Sequence, residues 1–200
     1  NALGANTVGS RSVAVGYGAL TSHNPATAVD TYNTAVGMLA GENVTTGTLN
    51  TIAGGLAGSQ ITTGEANIAI GYNALVSETA GDSNIAIGTN TLANQNGGAT
   101  GSVYNTGVGH NAGRQVTTGI NNTLIGALAG DALTTGTENT SVGYLSLSTD
   151  TAGNRSTAIG RGALATQNFS TSTNAYNVGV GYDAGVSLTT GVENTLIGSL

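Results

Sequence analysis

The chain has 200 residues, 33 of them Gly, only 7% charged side chains, and a net charge of −6 from four Arg and ten acidic residues. The lack of Cys excludes a disulfide scaffold or a Cys-based metal site, the scarcity of cations excludes a nucleic-acid footprint, and no apolar run approaches the roughly 20 residues of a membrane span. With no Trp and one Phe, the chain cannot build a thick core of large side chains, so backbone hydrogen bonds and small-residue packing must supply its order.

The first predicted element is a short segment that ends in Gly, "SVAVG" at 12–16. Its β-branched residues alternate with small ones, which is the period-2 signature of a strand. In many of the later copies a small residue, usually Ala, lies three positions after the Gly, and Val, Ile or Leu lies seven after it, before Thr-Thr-Gly. We predict a second short strand there, which ends in a turn.

This pattern returns along the whole chain, and we call the Gly that closes each strand the anchor. Counted in sequence positions, the steps between successive anchors are 21, 17, 17, 17, 21, 17, 17, 17, 21 and 17, so three short steps and one long step make a repeat unit of 72. Both ends of the chain fall inside this unit, and we expect residues 1–200 to be a single repeat array, a window on a longer fibre. The anchors are Gly16, Gly37, Gly54, Gly71, Gly88, Gly109, Gly126, Gly143, Gly160, Gly181 and Gly198.

Two short strands and two turns within a step of 17 positions indicate one coil of an all-β parallel β-solenoid or β-roll, with 21 positions in every fourth coil. Stacked coils rise by about 4.8 Å each, so ten steps predict a rod segment of roughly 50 Å. We expect the anchors to mark a bend at positive φ or a close approach of backbones. An Asn four positions before most anchors predicts a ladder of side-chain amides, with Ser12 and Ser156 as substitutes: Asn33, Asn50, Asn67, Asn84, Asn105, Asn122, Asn139, Asn177 and Asn194.

Three phrases carry a resemblance to a known family: "SVAVGYGAL" (12–20), "NIAIGYNAL" (67–75) and "STAIGRGAL" (156–164). They resemble the "SVAIG" head repeats of trimeric autotransporter adhesins, whose heads are trimers of left-handed parallel β-rolls. The "TTGxxNTxxGxxAG" form at 117–130 looks more like the repeat regions of phage tail fibres that end in a trimeric intramolecular chaperone. The resemblance implies left-handed coils, a homotrimer and a surface fibre. The adhesin head repeat is usually shorter than even the short step of this chain, and it lacks the inserts that lengthen every fourth step.

The two faces of the predicted strand suggest how chains associate. We expect Ala and Val inside the coil, and a single thin solenoid of this kind is marginal because it buries little apolar area. The alternating column of Ala, Gly and Ser would then lie on the outer face of the strand and suit close approach of neighbouring chains. The alternative is that this column faces water.

The long steps predict loops, because a solenoid accepts extra residues only where the chain leaves the stack, often on a binding face. The only Pro, the only Phe and one of two His fall in these inserts. We predict that the loops offer their side chains to a host glycan or a cell-surface protein; the alternative is that they are spacers. The candidate residues are His23, Asn24, Pro25, Asn94, Gln95, Asn96, Gln167, Asn168 and Phe169.

Neither a metal site nor a catalytic centre is predicted. His23 and His110 share no column, and no acidic partner lies at a fixed offset from either. Most acidic residues fall in variable turns, which indicates solvated charge; only Glu78 and Asp150 agree across the repeat unit. We expect no enzyme and no cofactor.

Three functions remain open. The first is a fibre segment of a receptor-binding appendage such as a viral tail fibre, and the second is the head of a bacterial trimeric adhesin. Both predict an extracellular location on a virion or cell surface, without nucleic-acid binding or membrane insertion. The third is an ice-binding solenoid, because Thr-Thr pairs recur at coil spacing, although Ala80 and Ala152 break the second Thr column and the long steps interrupt the face.

Overall fold

The computed structural model describes residues 1–97 and 101–200, and this part of the chain contains fifteen short strands and no helix. The strands are β1 (Val13–Val15), β2 (Thr34–Val36), β3 (Thr51–Ala53), β4 (Ile68–Ile70), β5 (Gly81–Asp82), β6 (Ile85–Ile87), β7 (Gly101–Ser102), β8 (Thr106–Val108), β9 (Thr123–Ile125), β10 (Thr140–Val142), β11 (Gly153–Asn154), β12 (Thr157–Ile159), β13 (Thr173–Asn174), β14 (Val178–Val180) and β15 (Thr195–Ile197).

The eleven three-residue strands form one parallel sheet in chain order, β1-β2-β3-β4-β6-β8-β9-β10-β12-β14-β15. Each strand ends just before an anchor Gly, and its register partner lies one short or one long step further on, as in Thr34 with Thr51 and Val13 with Thr34. Equivalent residues therefore lie above one another along the whole stack. The predicted fold class, an all-β parallel solenoid, is confirmed, with about eleven coils. The prediction of a second short strand before Thr-Thr-Gly is wrong, because Val44 and its equivalents lie in no strand.

The long coils leave the stack and return to it at a fixed place. β7 pairs with β5, and β13 pairs with β11, while Ser10 and Asp30 form the equivalent single bridge. In each case the end of the insert pairs in parallel with the preceding coil. The extra residues thus form an excursion that closes before the next strand. Part of the second insert, 98–100, lies outside the described residues.

The strand faces are the reverse of what we expected. We number positions from the anchor of each coil, so that Ala35 is at −2 and Val44 at +7 of the coil of Gly37. The −2 residue is buried in nine of the eleven strands and partly buried in the two terminal ones. The β-branched residues at −3 and −1 face outward. The small column lines the core because the turn residues already fill much of the narrow interior.

Large and small residues alternate inside the coil to fill that interior. Where position −2 holds a large residue, as at Leu124, position +4 of the same coil is Gly130; a Cβ added there would lie 2.7 Å from Leu124 Cδ2. Where position −2 is Ala69, position +4 is Leu75, and both are fully buried. In the coils of Gly37, Gly109 and Gly181 both positions are small, and large side chains of neighbouring coils fill the space: a Cβ added at Gly41 would lie 2.8 Å from Ile52 Cδ1, as close packing requires.

Candidate functional surfaces

The anchor glycines adopt a conformation that few other residues tolerate. All eleven have φ between 125° and 139°. A Cβ added at Gly54 would lie 2.6 Å from the carbonyl oxygen of Gly71, the next anchor. The close approach of successive backbones and the positive φ each require Gly here. The anchors so placed are Gly16, Gly37, Gly54, Gly71, Gly88, Gly109, Gly126, Gly143, Gly160, Gly181 and Gly198.

A second column with positive φ escaped the sequence reasoning. Every residue at −5 is a non-Gly residue with φ between 49° and 62°. Residues as different as Leu49, Ala66 and Glu138 share this strained conformation, so no common residue type marks it. The interlocking backbone hydrogen bonds impose it; Ala66, for example, donates its N–H to the Thr48 carbonyl at 3.0 Å. The column is Arg11, Tyr32, Leu49, Ala66, Ser83, Tyr104, Asn121, Glu138, Arg155, Tyr176 and Glu193.

The Asn residues at −4 form a buried chain of amides along the axis. The Asn122 Oδ1 accepts the backbone N–H of Asn139 at 3.0 Å and its Nδ2 at 3.2 Å, and the Asn122 Nδ2 donates to the Gly136 carbonyl at 2.9 Å. Side chains therefore satisfy turn groups that no strand partner reaches. The same position is occupied by Asn33, Asn50, Asn67, Asn84, Asn105, Asn122, Asn139, Asn177 and Asn194.

The +7 position explains three of the candidate loop residues. It lies inside the coil, where Val44, Ile61, Val116 and Leu133 are fully buried. In the three long coils the same position holds a polar residue instead: His23, Gln95 and Gln167, each with no exposed surface.

Each of these three polar side chains has a hydrogen-bond partner in the chain segment that follows it. The Gln95 Oε1 accepts from Asn105 Nδ2 at 2.6 Å, and the Gln167 Oε1 accepts from Asn177 Nδ2 at 2.8 Å. His23 Nε2 lies 3.1 Å from the Thr31 hydroxyl. Burial lowers the pKa of His23 below its ordinary value of 6.5. In this fold none of the three is accessible to a partner.

Glu78 and Asp150 are also buried, so the prediction that they carry solvated charge is wrong. Both are at +7 of the coil just before a long coil, and neither has exposed surface. The Glu78 Oε1 accepts the backbone N–H groups of Thr79, Ala80 and Gly81 at 2.8, 3.1 and 2.8 Å.

The reason is a missing backbone acceptor. In the coils of Gly37 and Gly109 the Gly at +10 donates to the next coil, as Gly47 does to the Thr62 carbonyl at 3.2 Å; in the coils of Gly54 and Gly126 the Thr at +9 donates there instead. When the next coil is a long one, its chain follows the insert from this point. The carboxylate then accepts in place of that carbonyl: Asp150 Oδ1 takes the N–H of Gly153 at 3.0 Å and that of Phe169 at 3.1 Å.

The remaining candidate residues also serve the packing of the inserts. Pro25 is buried and Phe169 is 7% exposed. Pro25 covers Gly9, where an added Cβ would lie 3.0 Å from the Pro ring, and Phe169 covers Gly153 in the same way at 2.9 Å. Rarity of a residue type thus marks how an insert is sealed. It does not mark a contact surface.

Four candidate residues are exposed: Asn24, Asn94, Asn96 and Asn168. Asn24 and Asn168 accept hydrogen bonds from the Thr hydroxyls one coil before them, at 2.9 and 3.3 Å, and Asn96 accepts from Thr79 at 3.1 Å. Asn94 donates to a Gln of the next coil at 2.8 Å. Other exposed residues of the inserts include 26–30, 101–102 and 170–172, of which Asp30 pairs with Arg11 and Ser172 accepts from Asn154. Partner binding by these loops stays a prediction.

The three Asn at +8 also change the reading of the Thr face. Thr occupies +8 in every ordinary coil and Asn in every long coil, so the long steps do not interrupt this column. The Thr hydroxyls donate along the stack, as Thr45 does to the Thr62 carbonyl at 3.1 Å and Thr134 to the Thr151 carbonyl at 2.9 Å.

The largest uncovered feature is the outer face of the sheet. Its −1 column includes Ile70, Ile87 and Ile125, which are 37%, 37% and 38% exposed. The +1 column beside it adds Tyr72 and Tyr144 at 53% and 48% exposure. Thr, Val and Ile occupy the −3 column. We call these three columns the sheet face.

Charged groups are few, and one of them is on this face. Arg161, in the +1 column, bonds to Asp183 at 2.8 Å and stacks on the Tyr182 ring at 5.1 Å.

Two other ion pairs lie beside the face. Arg11 bonds to Asp30 at 3.1 Å, and Arg155 bonds to Glu138 at 2.8 Å. Each of these guanidinium groups also stacks on a Tyr ring at 5.6 Å. The Arg155 guanidinium lowers the pKa of the Glu138 carboxyl. These pairs are exposed and hold neighbouring coils together only weakly.

Other kinds of site find no support in residues 1–97 and 101–200. No group of three or more His or acidic side chains there is placed to hold a metal ion. The same residues include no helix long and apolar enough to span a bilayer. Comparison with known proteins adds no family: no family model, no curated protein and no solved structure matches the chain.

Proposed function

We propose that the chain is a structural segment of a surface fibre that carries a receptor-binding or adhesive appendage, of the kind found in viral tail fibres, and that it works as a homotrimer. The sheet face is the observation that carries this proposal. The stack supplies length and the same surface at every level, as a fibre requires.

The sheet face is large enough to form an interface. Eleven coils and a width of about four residues give it roughly 50 Å by 14 Å, or about 700 Å², and a specific interface covers about 800 Å² per partner. The apolar part of the face is the −1 column, which is mostly Val and Ile, while Thr fills most of the −3 column. Other copies of the same chain fit this face best, because they present the same repeat at the same spacing.

The oligomer is tested by placing charge on the sheet face. Ile87→Glu with Ile125→Glu puts two carboxylates on it, whereas Gln60→Glu with Gln115→Glu adds the same charge away from that face as a control. We expect light scattering to give a trimer for the parent chain and the control, and a monomer for the Ile variant. A monomeric parent chain at micromolar concentration would overturn the proposal.

Recognition is tested separately on the insert loops. Ser170→Ala and Thr171→Ala remove exposed hydroxyls, and Ser172 is left in place because its hydroxyl accepts from the buried Asn154 Nδ2 at 3.0 Å. Lost attachment of the folded variant to a glycan array, where the parent chain binds, supports partner binding by the loops. Unchanged attachment assigns this segment the role of a spacer.

The head of a bacterial trimeric adhesin is an alternative that shares the fold and the sheet face. The flanking sequence distinguishes the two: a tail fibre would have a chaperone or virion-attachment domain, and an adhesin would have a coiled-coil stalk and a membrane anchor.

The unbroken +8 column of Thr and Asn, spaced by about 4.8 Å, favours a second candidate, an ice-binding solenoid. Its hydroxyls already donate to carbonyls of the next coil, which weakens it. Thermal hysteresis of the folded chain tests it, and none is expected.

A further inference from the structure

The coils are so alike that the sheet alone does not define which coil stacks on which. β9, β10 and β12 each begin with Thr, and all three have the same register to their neighbours. If the coil of β10 looped out, β9 could pair with β12 through the same columns of Thr, Asn and Gly. Repeated strands are prone to such slippage unless something specifies the register.

The +7 column is where the coils differ. Except at three places, this column holds an apolar residue. At each of these places, one in each repeat unit, two successive coils hold a polar residue instead, and the second of the two coils is the long one. We call each of these a polar pair: Asn6 with His23, Glu78 with Gln95, and Asp150 with Gln167.

The third pair shows how closely the two coils are matched. Gln167 Nε2 donates to Asp150 Oδ2 at 2.6 Å and to the Ser156 hydroxyl at 3.0 Å. Asp150 Oδ1 accepts the N–H of Phe169 in the insert at 3.1 Å. Asp150, Ser156 and Gln167 are at most 1% exposed.

The other two pairs share the backbone contact of Asp150 but not its contact to the Gln of the next coil. No hydrogen bond joins Glu78 to Gln95 or Asn6 to His23, and Glu78 Oε2, Gln95 Nε2 and His23 Nδ1 have no partner among the described residues. In each of these pairs, the first residue accepts the N–H of the Gly three positions later, at 2.8 Å for Asn6 and for Glu78. A coil that precedes an insert therefore has to bring its own acceptor, and only these coils do.

We propose that the polar pairs fix the register of the stack, so that each insert closes over one coil only. If the coil of Asp150 looped out, Leu133 would lie next to Gln167. The buried Gln167 Nε2 would then lose one of its two acceptors and keep the Ser156 hydroxyl, and the N–H of Phe169 would lose Asp150 Oδ1, which is unfavourable in a dry interior. A buried polar group that specifies register while lowering stability is a known device in coiled coils. The device acts within one chain and holds for a monomer as for a trimer.

Engineered Cys pairs can report the register, because the chain has no Cys of its own. Thr134→Cys with Asn168→Cys places two thiols two coils apart in the +8 column, at about 9.6 Å. A disulfide needs a Cα separation below about 7 Å, so this reporter closes only if the coil of Asp150 has looped out. Thr117→Cys with Thr151→Cys reports the same slip one coil earlier, where no polar pair is broken.

The chain is refolded from guanidinium and oxidised. We expect the Thr134/Asn168 reporter to close less than the Thr117/Thr151 reporter in the parent background. Asp150→Leu should raise closure of the first reporter about tenfold, which corresponds to about 1.4 kcal/mol, and leave the second unchanged. Leu133→Ala is the matched control, because it weakens the same column without altering a polar pair.

Equal closure of the first reporter in Asp150→Leu and Leu133→Ala would overturn the proposal. If Asp150→Leu does not refold, Gln167→Leu decides, because it leaves both backbone contacts of Asp150 in place. Closure in Gln167→Leu above that in Leu133→Ala supports the proposal, and closure no greater than in that control refutes it.

Discussion

The buried amide ladder makes a quantitative prediction at Asn122. Replacing Asn122 with Ala leaves the Asn139 N–H and the Gly136 carbonyl without partners in the interior. Each buried unsatisfied group costs about 1–3 kcal/mol, so we expect the free energy of unfolding to fall by about 2–5 kcal/mol. Asn122→Ser should lose about half of that, because a Ser at this position still accepts the next N–H, as Ser12 does from Asn33 at 3.1 Å.

Guanidinium unfolding followed by circular dichroism measures these changes at a fixed chain concentration. The control is Thr118→Ala, an exposed residue in a column where other coils already carry Ala. We expect Thr118→Ala to change the free energy of unfolding by less than about 0.5 kcal/mol. An Asn122→Ala variant as stable as Thr118→Ala would refute the view that the ladder satisfies buried backbone groups.

Three further predictions test the core, the strained column and the buried His. Leu124→Ala should lower the free energy of unfolding by about 2–5 kcal/mol. Adding Gly130→Leu should recover part of this loss, because a small residue at −2 with Leu at +4 occurs in other coils. Thermal unfolding of both single variants and the double variant measures the two effects. Ala66→Gly should stabilise the fold by about 0.5–1 kcal/mol, because Gly adopts the φ of 55° at this position without strain. The control Ala80→Gly, at a position with ordinary φ, should destabilise the fold. A loss of stability in Ala66→Gly would contradict the idea that this column is strained. Burial lowers the pKa of His23 below its ordinary value of 6.5, so the stability that the neutral His23 contributes is full above pH about 6.5 and is lost as the pH falls below that value through the lower pKa of the folded state. His23→Gln, which introduces the residue of the other two inserts, should flatten the fall in melting temperature between pH 7.5 and 5. An equal fall in the parent chain and the variant would count against this assignment.

The stack could be predicted from the sequence because its cause is periodic. The eleven anchors recur at only two step lengths, and a parallel stack is the arrangement in which every anchor approaches the next one closely enough to require Gly. The amide ladder follows from the same periodicity, since Asn33 and Asn50 must lie above one another once Gly37 and Gly54 do. Strict recurrence makes equivalent positions into neighbours, whatever the details of the coil.

The direction of the strand faces could not be predicted in the same way. Alternation says that Val and Ala lie on opposite sides, and the usual rule puts the larger residue inside. In the coils of Gly71 and Gly88 the interior is already occupied by Leu75 and Leu92 at +4 and by the buried polar residues at +7. Only Ala, Gly or Ser fits opposite a Leu. Both Leu residues have positive φ, as do the Gly residues at +4 of other coils; the Gly residues signal the turn, but they do not indicate that a Leu in it points inward.

The inserts show why a rare residue was misread. His23, Pro25 and Phe169 attract attention because the rest of the chain avoids them, and rarity suggested recognition. The structure around the insert explains each of them instead, because an insert removes one carbonyl from the stack and leaves one Gly uncovered. A buried polar group replaces the carbonyl. An apolar side chain covers the Gly, and Pro25, Val103 and Phe169 each do so in one of the three inserts.

The same packing leads to the expectation of a partner. A coil whose interior is filled by Ala, Gly and Leu must place its β-branched strand residues outside, at every level of the rod. Ile70, Ile87 and Ile125 therefore stay more than one third exposed in a single chain, in line with one another and on a flat parallel sheet. Burying such a line against another flat apolar surface removes it from water at all levels at once, and the gain rises with the number of coils. A longer array would gain more from association than a shorter one, which is the behaviour expected of a fibre and not of a solenoid that works alone.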